Sequence, residues 1–169
     1  AQAPTAIDTS SLAQVSDLAS LSAHKIYGPQ GIGALFIRRD IQKAVEPLLY
    51  GGGQQSGLRS GTLPVALAVG MGKAAELLSS PQGHSERKHI RALRDRFVLE
   101  ITRIIPGSKL NGPPLDNRHP GNANLYFPNV SAEDLLLSMQ PHLAASTGSA
   151  CTTGIPEPSH VLRAIGLTI

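Results

Sequence analysis

Residues 18–37, which read LASLSAHKIYGPQGIGALFI, decide the fold that the sequence predicts. Two short apolar runs, Leu18–Leu21 and Gly33–Ile37, flank a Gly-Pro-Gln-Gly sequence that is typical of a turn. The second run is short and uniformly apolar, which indicates a buried strand. We therefore predict two strands joined by a tight turn, with the polar side chains of Ser22–Lys25 collected at the end of the first strand.

Outside this stretch, the hydrophobic pattern predicts helices alternating with short strands. Helices are predicted over 64–78, 85–105, 131–139 and 159–165, and further strands over 45–50, 122–127 and 143–145. This alternation gives the fold class α/β. A Ser-Ser-Pro-Gln-Gly break predicts a boundary between a region 1–78 and a region 79–169.

The second predicted helix has a mostly basic face. Its members are Arg87, Lys88, Arg91, Arg94, Asp95 and Arg96. Charge on the open side of a helix is ordinary, so we interpret this face as a solvated surface.

Composition excludes several classes of protein. A chain of 169 residues with 41% hydrophobic and 16% charged residues is not disordered and holds one domain or two small ones. A net charge of +3 with 4% aromatic residues argues against nucleic acid as a partner. One cysteine excludes a disulfide scaffold, and the histidine spacing predicts no metal site. No apolar stretch reaches the length of about 18 residues that a membrane span needs.

Lys25 is the first candidate catalytic residue. A lysine directly after an apolar strand is placed where burial would favour the neutral amine, which attacks carbonyl groups and forms Schiff bases. Ser22 and His24 beside it can donate hydrogen bonds to an anion. A surface lysine at the end of a strand remains the alternative from these residues alone.

A glycine-rich segment is the second candidate. Gly51–Gly57 lets backbone N–H groups approach a phosphate, and Arg59, Ser60 and Thr62 add donors before a helix opens at Pro64. The spacing matches neither the P-loop nor the dinucleotide-binding pattern. A flexible loop without a ligand is the alternative.

Cys151 is the third candidate. It lies in Ser146–Gly154, a segment of small and polar residues that favours an accessible thiol, and an accessible thiol becomes a nucleophile once deprotonated. A buried core cysteine is the alternative.

Together these segments resemble the cysteine desulfurases, pyridoxal phosphate (PLP) enzymes of the fold-type I, class-V aminotransferase-like group. The matching stretches are Ser22–Leu35, Gly51–Gln54, Gly57–Pro64, Ser149–Thr152 and Glu157–Gly166. Their order and separations match as well. The resemblance implies the C-terminal part of a fold-type I PLP-dependent transferase large domain over 1–78, plus most of the small α/β domain, carrying the cysteine loop, over 79–169.

The resemblance also implies roles for individual residues. Lys25 would hold PLP and act as acid and base on the substrate. Ser22 and His24 would bind the cofactor phosphate, and Gln2 would hydrogen-bond the pyridine's hydroxyl oxygen. Thr62 would reach the PLP phosphate of the partner subunit, which implies a homodimer.

Cys151 would be the nucleophile that takes sulfur from L-cysteine as a persulfide and leaves L-alanine. A sulfur-acceptor protein, such as an iron–sulfur scaffold, would then receive the sulfur. We expect a cytoplasmic location, or the interior of an organelle such as a mitochondrion or plastid, because cysteine is sparse and the sequence shows no signal segment.

The ends of the chain are read as cuts. The acid that would pair with the pyridine nitrogen, and the arginine that would hold the substrate carboxylate, are expected beyond the two ends. We therefore expect the 169-residue chain alone to catalyse the reaction poorly. Two alternatives stay open, a selenocysteine lyase and a non-catalytic remnant that pairs with or binds a partner.

Overall fold

The computed structural model describes residues 3–6, 9, 12–145 and 159–167. The chain divides into two compact units, Ala1–Ile90 and Arg91–Ile169, each with its own internal contacts. The α-helices are α1 (Leu12–Val15), α2 (Val65–Ser79), α3 (Pro81–Ile104), α4 (Ala132–Ser138) and α5 (His160–Ala164). The strands are β1 (Leu18–Ser22), β2 (Gly33–Ile37), β3 (Lys109–Leu110) and β4 (Leu125–Tyr126). The domain boundary expected at residues 78 and 79 stays a prediction.

In the first unit, β1 and β2 form an antiparallel pair, which confirms the two strands that the sequence predicts. The register runs from Leu18 opposite Ile37 to Ser22 opposite Gly33. Gly33 is required at the closed end, since a Cβ there would lie 2.7 Å from the carbonyl oxygen of Leu21. The chain therefore leaves β1 directly into the segment that carries Lys25.

The core of the first unit forms where this segment meets α2. A 3₁₀ turn over Ala23–Ile26 follows β1, and both of its end residues are buried. Ile26 packs with Ala74 and Leu78 of α2, and Met71 packs against that cluster. Because residues three apart share a face of a 3₁₀ turn, burying the first and last residues directs the two between them outward.

The helices α2 and α3 follow the predicted helices closely. Pro64 precedes α2 at its N-cap position. α3 begins four residues earlier than predicted, at Pro81. Ser80 explains the earlier start, because its Oγ accepts a hydrogen bond from the Gly83 N–H at 3.2 Å, as an N-cap side chain does.

The strand predicted over 45–50 is wrong. A 3₁₀ helix, Arg39–Ala44, leads instead into irregular chain, and Leu48 and Tyr50 are exposed. An apolar run becomes a buried strand only when another element covers it, and the described residues place none over these side chains.

In the second unit, β3 pairs with β4 in an antiparallel ladder of two residue pairs. The strand predicted over 122–127 shortens to β4, and the strand predicted over 143–145 is wrong, since those residues are irregular and exposed. The N–H of Asp134 donates to the Ser131 Oγ at 3.4 Å, which caps α4 as the sequence predicts.

The final helix, α5, ends at the glycine that the sequence marks for it. Gly166 has a φ of +84°. Its N–H donates to the Arg163 carbonyl at 3.0 Å, and the Leu167 N–H donates to the Leu162 carbonyl at 3.0 Å. This pair of bonds is the Schellman motif, which satisfies carbonyls at a helix end and favours glycine at the left-handed position.

The interpretation of the basic helix face as fully solvated is wrong for Arg94. Its side chain is 4% exposed, and its Nε lies 2.6 Å from the Asp95 Oδ1. Its two terminal nitrogens donate to the backbone carbonyls of Leu115, His119 and Asn122. A buried guanidinium is tolerated here because carbonyls and a carboxylate surround it.

Candidate cofactor-binding and active site

Lys25 lies in the 3₁₀ turn between the buried residues Ala23 and Ile26, and its side chain is exposed. The local sequence leaves a buried amine and a surface lysine open at this position, and the structure shows an exposed side chain. The cause is the three-residue period of the turn, which directs Ala23 and Ile26 into the core and Lys25 away from it. The amine is therefore open to a ligand from solvent.

The structure brings Ser22 and His24, both predicted to bind phosphate, into contact. The Ser22 Oγ and the His24 Nδ1 lie 2.9 Å apart, a hydrogen-bond distance. Either the hydroxyl donates to Nδ1, which leaves the histidine proton on Nε2, or Nδ1–H donates, which leaves the hydroxyl proton free. In both tautomers the pair keeps a donor for an anion beside Lys25.

Backbone hydrogen bonds fix the loop around this turn. The Gly28 N–H donates to the Ala23 carbonyl at 2.8 Å, and the Ala23 N–H donates to the Ile32 carbonyl at 3.1 Å. Tyr27 follows Lys25 and Ile26 with a φ of +65°, a left-handed conformation that a side chain rarely adopts. The Lys25 backbone is therefore tied on both sides to the hairpin.

Thr62 lies in an exposed loop that enters α2. The Ser60 Oγ donates to the Leu49 carbonyl at 3.0 Å, and the Gly61 N–H donates to the Gln54 Oε1 at 3.2 Å. These bonds tie the chain just before Thr62 to Leu49, which precedes the glycine-rich segment, and to Gln54, which lies within it. α2 then joins the Thr62 loop to the Lys25 turn, which packs on the same helix.

Two predicted site residues, Gln2 and Cys151, lie outside the described residues. The whole predicted cysteine segment, from residue 146 to residue 154, lies outside them as well. Of the predicted site, the structure therefore brings Ser22, His24 and Lys25 together on one turn and places Thr62 in the loop before α2.

Sequence reasoning missed a cavity of about 460 Å³ within the first unit. Its lining includes Leu21, Ile26, Met71, Leu78, His84 and Arg87. The Arg87 Nη1 donates to the Leu78 carbonyl at 2.8 Å and to the Pro4 carbonyl at 3.4 Å. Its Nη2 lies 2.8 Å from the His84 Nδ1. The spacing of three residues between His84 and Arg87 on one helix is the only sequence signal for this pair.

Neither a metal centre nor a membrane span is found in the described part of the chain. Among those residues, no group of three or more His, Cys, Asp or Glu side chains is arranged to hold a metal ion. None of their helices combines the length and apolar character that crossing a membrane requires.

Comparison with known proteins identifies the family. The sequence profile of the family described as aminotransferase class-V matches residues 1–169. The chain belongs to the class-V aminotransferase family. This membership confirms the resemblance stated from the three motifs.

Individual relatives of this class-V aminotransferase chain carry more specific names. It is 51% identical over 152 residues to the cysteine desulfurase IscS of Rickettsia typhi, which covers 90% of this chain and 36% of that protein. The X-ray structure of a NifS-like protein from Rickettsia africae matches with a TM-score of 0.79 and 28% identity, covering 99% of this chain and 43% of that one. SspA in complex with cysteine matches with a TM-score of 0.65 and 37% identity, covering 90% and 40% of the two chains.

These similarities confirm the predicted α/β fold of the fold-type I class. The chain spans about 36% of the length of the curated relative from Rickettsia typhi.

Proposed function

We propose that this chain is part of a PLP-dependent cysteine desulfurase, which moves the sulfur of L-cysteine onto Cys151 and releases L-alanine. The observation that carries the proposal is the placement of an exposed lysine amine beside the Ser22–His24 pair on one backbone turn. The names of the relatives, cysteine desulfurase IscS and SspA in complex with cysteine, support the same substrate.

The residues of the turn fit PLP. A phosphate needs donors, and the Ser22–His24 pair keeps one in either tautomer. An aldehyde needs an accessible amine, which Lys25 supplies one residue later. Lys25 would hold the cofactor covalently, Ser22 and His24 would hold its phosphate, and Gln2 would bond its ring hydroxyl oxygen.

When bound, PLP withdraws electrons from the carbon atoms of an amino acid, which makes its sulfur open to attack by a thiolate. The Lys25 amine, once displaced by the substrate, moves protons to and from the substrate's carbon atoms. The Cys151 thiolate attacks the substrate sulfur, so that an S–S bond forms on the enzyme as the substrate's C–S bond breaks. A C–H bond replaces that C–S bond in alanine, so electrons balance without an external oxidant.

A homodimer and a sulfur acceptor belong to the same proposal. Leu48 and Tyr50 are exposed in a segment that the Ser60–Leu49 hydrogen bond ties to the loop carrying Thr62. If two copies bury these apolar side chains against each other, each Thr62 loop is brought to the interface, where it can reach the partner subunit's cofactor.

The persulfide on Cys151 would pass to an acceptor protein such as an iron–sulfur scaffold, in a compartment reducing enough to keep the thiol free.

The test is chemical trapping of PLP on the purified chain. Borohydride reduction fixes PLP on any lysine that holds it, and peptide mapping compares Lys25 with the exposed Lys43, which serves as the internal control. We expect Lys25 to be labelled at PLP concentrations that leave Lys43 unlabelled. Equal labelling of the two lysines would overturn the cofactor assignment.

A second measurement tests the reaction. Because the chain alone is expected to catalyse poorly, incubation with PLP and L-cysteine is expected to yield a stoichiometric burst of alanine and a persulfide on Cys151 without sustained turnover. A Cys151→Ser variant is expected to release no such burst. Cys151→Ser has no cysteine left, so a burst of alanine from L-cysteine that survives in this variant would exclude Cys151 as the nucleophile. Alanine produced from selenocysteine but not from cysteine would identify a selenocysteine lyase instead.

A further inference from the structure

Gly70 of α2 lies against Pro29, which belongs to the loop that follows Lys25. A Cβ at Gly70 would lie 3.1 Å from the Pro29 Cγ and 3.2 Å from its Cδ, closer than most carbon–carbon contacts. Gly72, two residues further along the same helix, is different, because a Cβ there would have nothing within 4 Å. The close approach of the loop to α2 therefore depends on the first of these glycines.

Pro29 is mechanically connected to Lys25. The neighbouring Gly28 donates its N–H to the Ala23 carbonyl at 2.8 Å, and Ala23 begins the turn that carries Lys25. A Cβ at Gly28 would lie 3.1 Å from the carbonyl oxygen of Ala23 and 3.2 Å from the Cβ of Ala23, so this part of the loop is tightly packed. A shift of Pro29 away from α2 would therefore be transmitted to the Lys25 backbone.

The other side of the turn is held by the same helix. Ile26 is 2% exposed and packs with Ala74 of α2, one turn beyond Gly70. Ile26 therefore anchors the turn to the middle of α2, while Pro29 rests on the surface that Gly70 leaves open. Two contacts with one rigid helix fix both the position and the tilt of the segment between them.

We propose that Gly70 is a positioning residue for the cofactor lysine, acting through Pro29 by letting the Lys25 loop seat on α2. The proposal rests on the proposed function, since it assigns a role to Gly70 only if Lys25 holds PLP. A positioning role makes a specific demand: substitution at Gly70 must change what happens at Lys25 and leave the other lysines unaffected.

The test compares Gly70→Ala with Gly72→Ala in the borohydride-trapping assay. Both substitutions add the same methyl group and the same gain in helix propensity, so they differ only in the contact with Pro29. Because small displacements of a reacting group cost large factors in rate, Gly70→Ala is expected to lower the Lys25-to-Lys43 labelling ratio by about threefold or more. Gly72→Ala is expected to keep the ratio of the unsubstituted chain.

A double variant tests the path. Pro29→Ala removes the Cγ and Cδ atoms that the new methyl group would meet, so Gly70→Ala added to Pro29→Ala is expected to leave the labelling ratio of Pro29→Ala unchanged. This non-additivity is what a direct contact produces. If Gly70 were needed only for stability, Gly70→Ala would destabilise both the unsubstituted chain and Pro29→Ala without changing the Lys25-to-Lys43 labelling ratio.

The outcomes separate the two proposals. If the unsubstituted chain labels Lys25 no better than Lys43, the proposed function fails. If it prefers Lys25 and Gly70→Ala matches Gly72→Ala, the positioning role alone fails. If Gly70→Ala does not fold, the double variant decides. The double variant is expected to fold as Pro29→Ala does, and its failure to fold would overturn the role of Pro29.

Discussion

The Ser22 Oγ and the His24 Nδ1 lie 2.9 Å apart at the end of β1, which makes two predicted phosphate ligands one hydrogen-bonded unit. Each residue orients the other, so removing either one affects the donor that the pair presents to an anion. Ser22 and His24 lie three residues and one residue before Lys25, and this closeness in the chain links phosphate binding to the position of the amine.

Replacing Ser22 with alanine removes one member of this pair. A hydrogen bond to a charged group contributes about 1.5–3 kcal/mol, so the dissociation constant of PLP is expected to rise by about tenfold or more. The change is measured by titrating PLP and following the absorbance of the lysine-bound form. Ser20→Ala, an exposed serine on the same strand, is the matched control and is expected to leave the constant unchanged. Equal effects of the two substitutions would contradict the assignment of Ser22.

Replacing Arg87 with methionine tests the contacts that hold residue 4 and the end of α2. The substitution removes donors to the Leu78 and Pro4 carbonyls, and it is expected to lower the free energy of unfolding by about 1–2 kcal/mol. Lys88→Met, at the exposed neighbouring position, is expected to change it by less than about 0.5 kcal/mol. Thermal unfolding of both variants measures the difference, and similar melting temperatures would show that the Arg87 bonds add nothing.

Part of this fold could be predicted from sequence because its signals are local. The Gly-Pro-Gln-Gly sequence at 28–31 indicates where the chain turns back towards β2, although the connection runs over 23–32 and includes the 3₁₀ turn Ala23–Ile26, so it is not the tight turn that the sequence predicts. α2 is bounded by Pro64 before it and the Ser-Ser-Pro sequence at its end. Gly166 likewise marks the end of α5, where its positive φ lets its own N–H and that of Leu167 donate to helix carbonyls. In each case the physical cause lies within a few residues of the element it defines.

The features that sequence could not predict depend on contacts between distant residues. Leu48 and Tyr50 read as part of a strand, but no local pattern says whether another element covers them. The burial of Arg94 depends on carbonyls 21 to 28 residues away. Lys25 differs in its cause, since the sequence predicts its place after a strand but not the 3₁₀ turn, whose period directs Ala23 and Ile26 inward.

Replacing Asp40 with asparagine tests an ion pair at the open end of the β1–β2 hairpin. Arg38 hydrogen-bonds both Asp40 oxygens, at 2.6 and 3.0 Å, and these bonds lower the pKa of the carboxyl below its ordinary 3.8. A lowered pKa means that the pair stabilises the fold above the ordinary value and that this stabilisation is lost as pH falls through the folded-state pKa. The melting temperature of Asp40→Asn is therefore expected to lie below that of the unsubstituted chain at about pH 6 and to converge with it at about pH 2.

The control for this pH profile is Glu46→Gln, which neutralises an exposed carboxyl a few residues away. It is expected to show no comparable difference at pH 6. A difference between Asp40→Asn and the unsubstituted chain that stays constant across the acid range would show that packing, rather than ionisation, connects Asp40 to stability.

Introducing a charge at Leu48 tests the proposed dimer. This side chain is 96% exposed, so Leu48→Glu costs the folded chain little, whereas a buried and unpaired carboxylate at an interface would be strongly unfavourable. Sedimentation velocity is expected to show weaker self-association for Leu48→Glu by about tenfold or more in the dissociation constant. Leu137→Glu, an exposed leucine in the second unit, is the control. Unchanged association of Leu48→Glu would place the dimer contact elsewhere.

Arg94 is a buried charge in the second unit, and its replacement tests the largest departure from the solvated basic face that the sequence predicts. Arg87 of the same face departs less, because it is only half-buried while it donates to the Leu78 and Pro4 carbonyls. Arg94→Met keeps the length of the side chain but leaves the Leu115 and Asn122 carbonyls without the donors they have now. Since removing one partner from a buried charged network costs about 3 kcal/mol, the segment 111–124 is expected to open far more often.

Amide hydrogen exchange of residues 111–124, read by mass spectrometry, measures this opening directly, and protection is expected to fall by about a hundredfold. Arg96→Met removes an exposed arginine from the same helix and is expected to leave exchange unchanged. Burial, together with the charge of Arg94, also lowers the pKa of Arg118, which donates to the carbonyls of Asn111 and Pro113 in the same loop. Losing Arg94 relieves that repulsion but supplies no new donor, so retained protection in Arg94→Met would mean that Arg118 alone holds the loop.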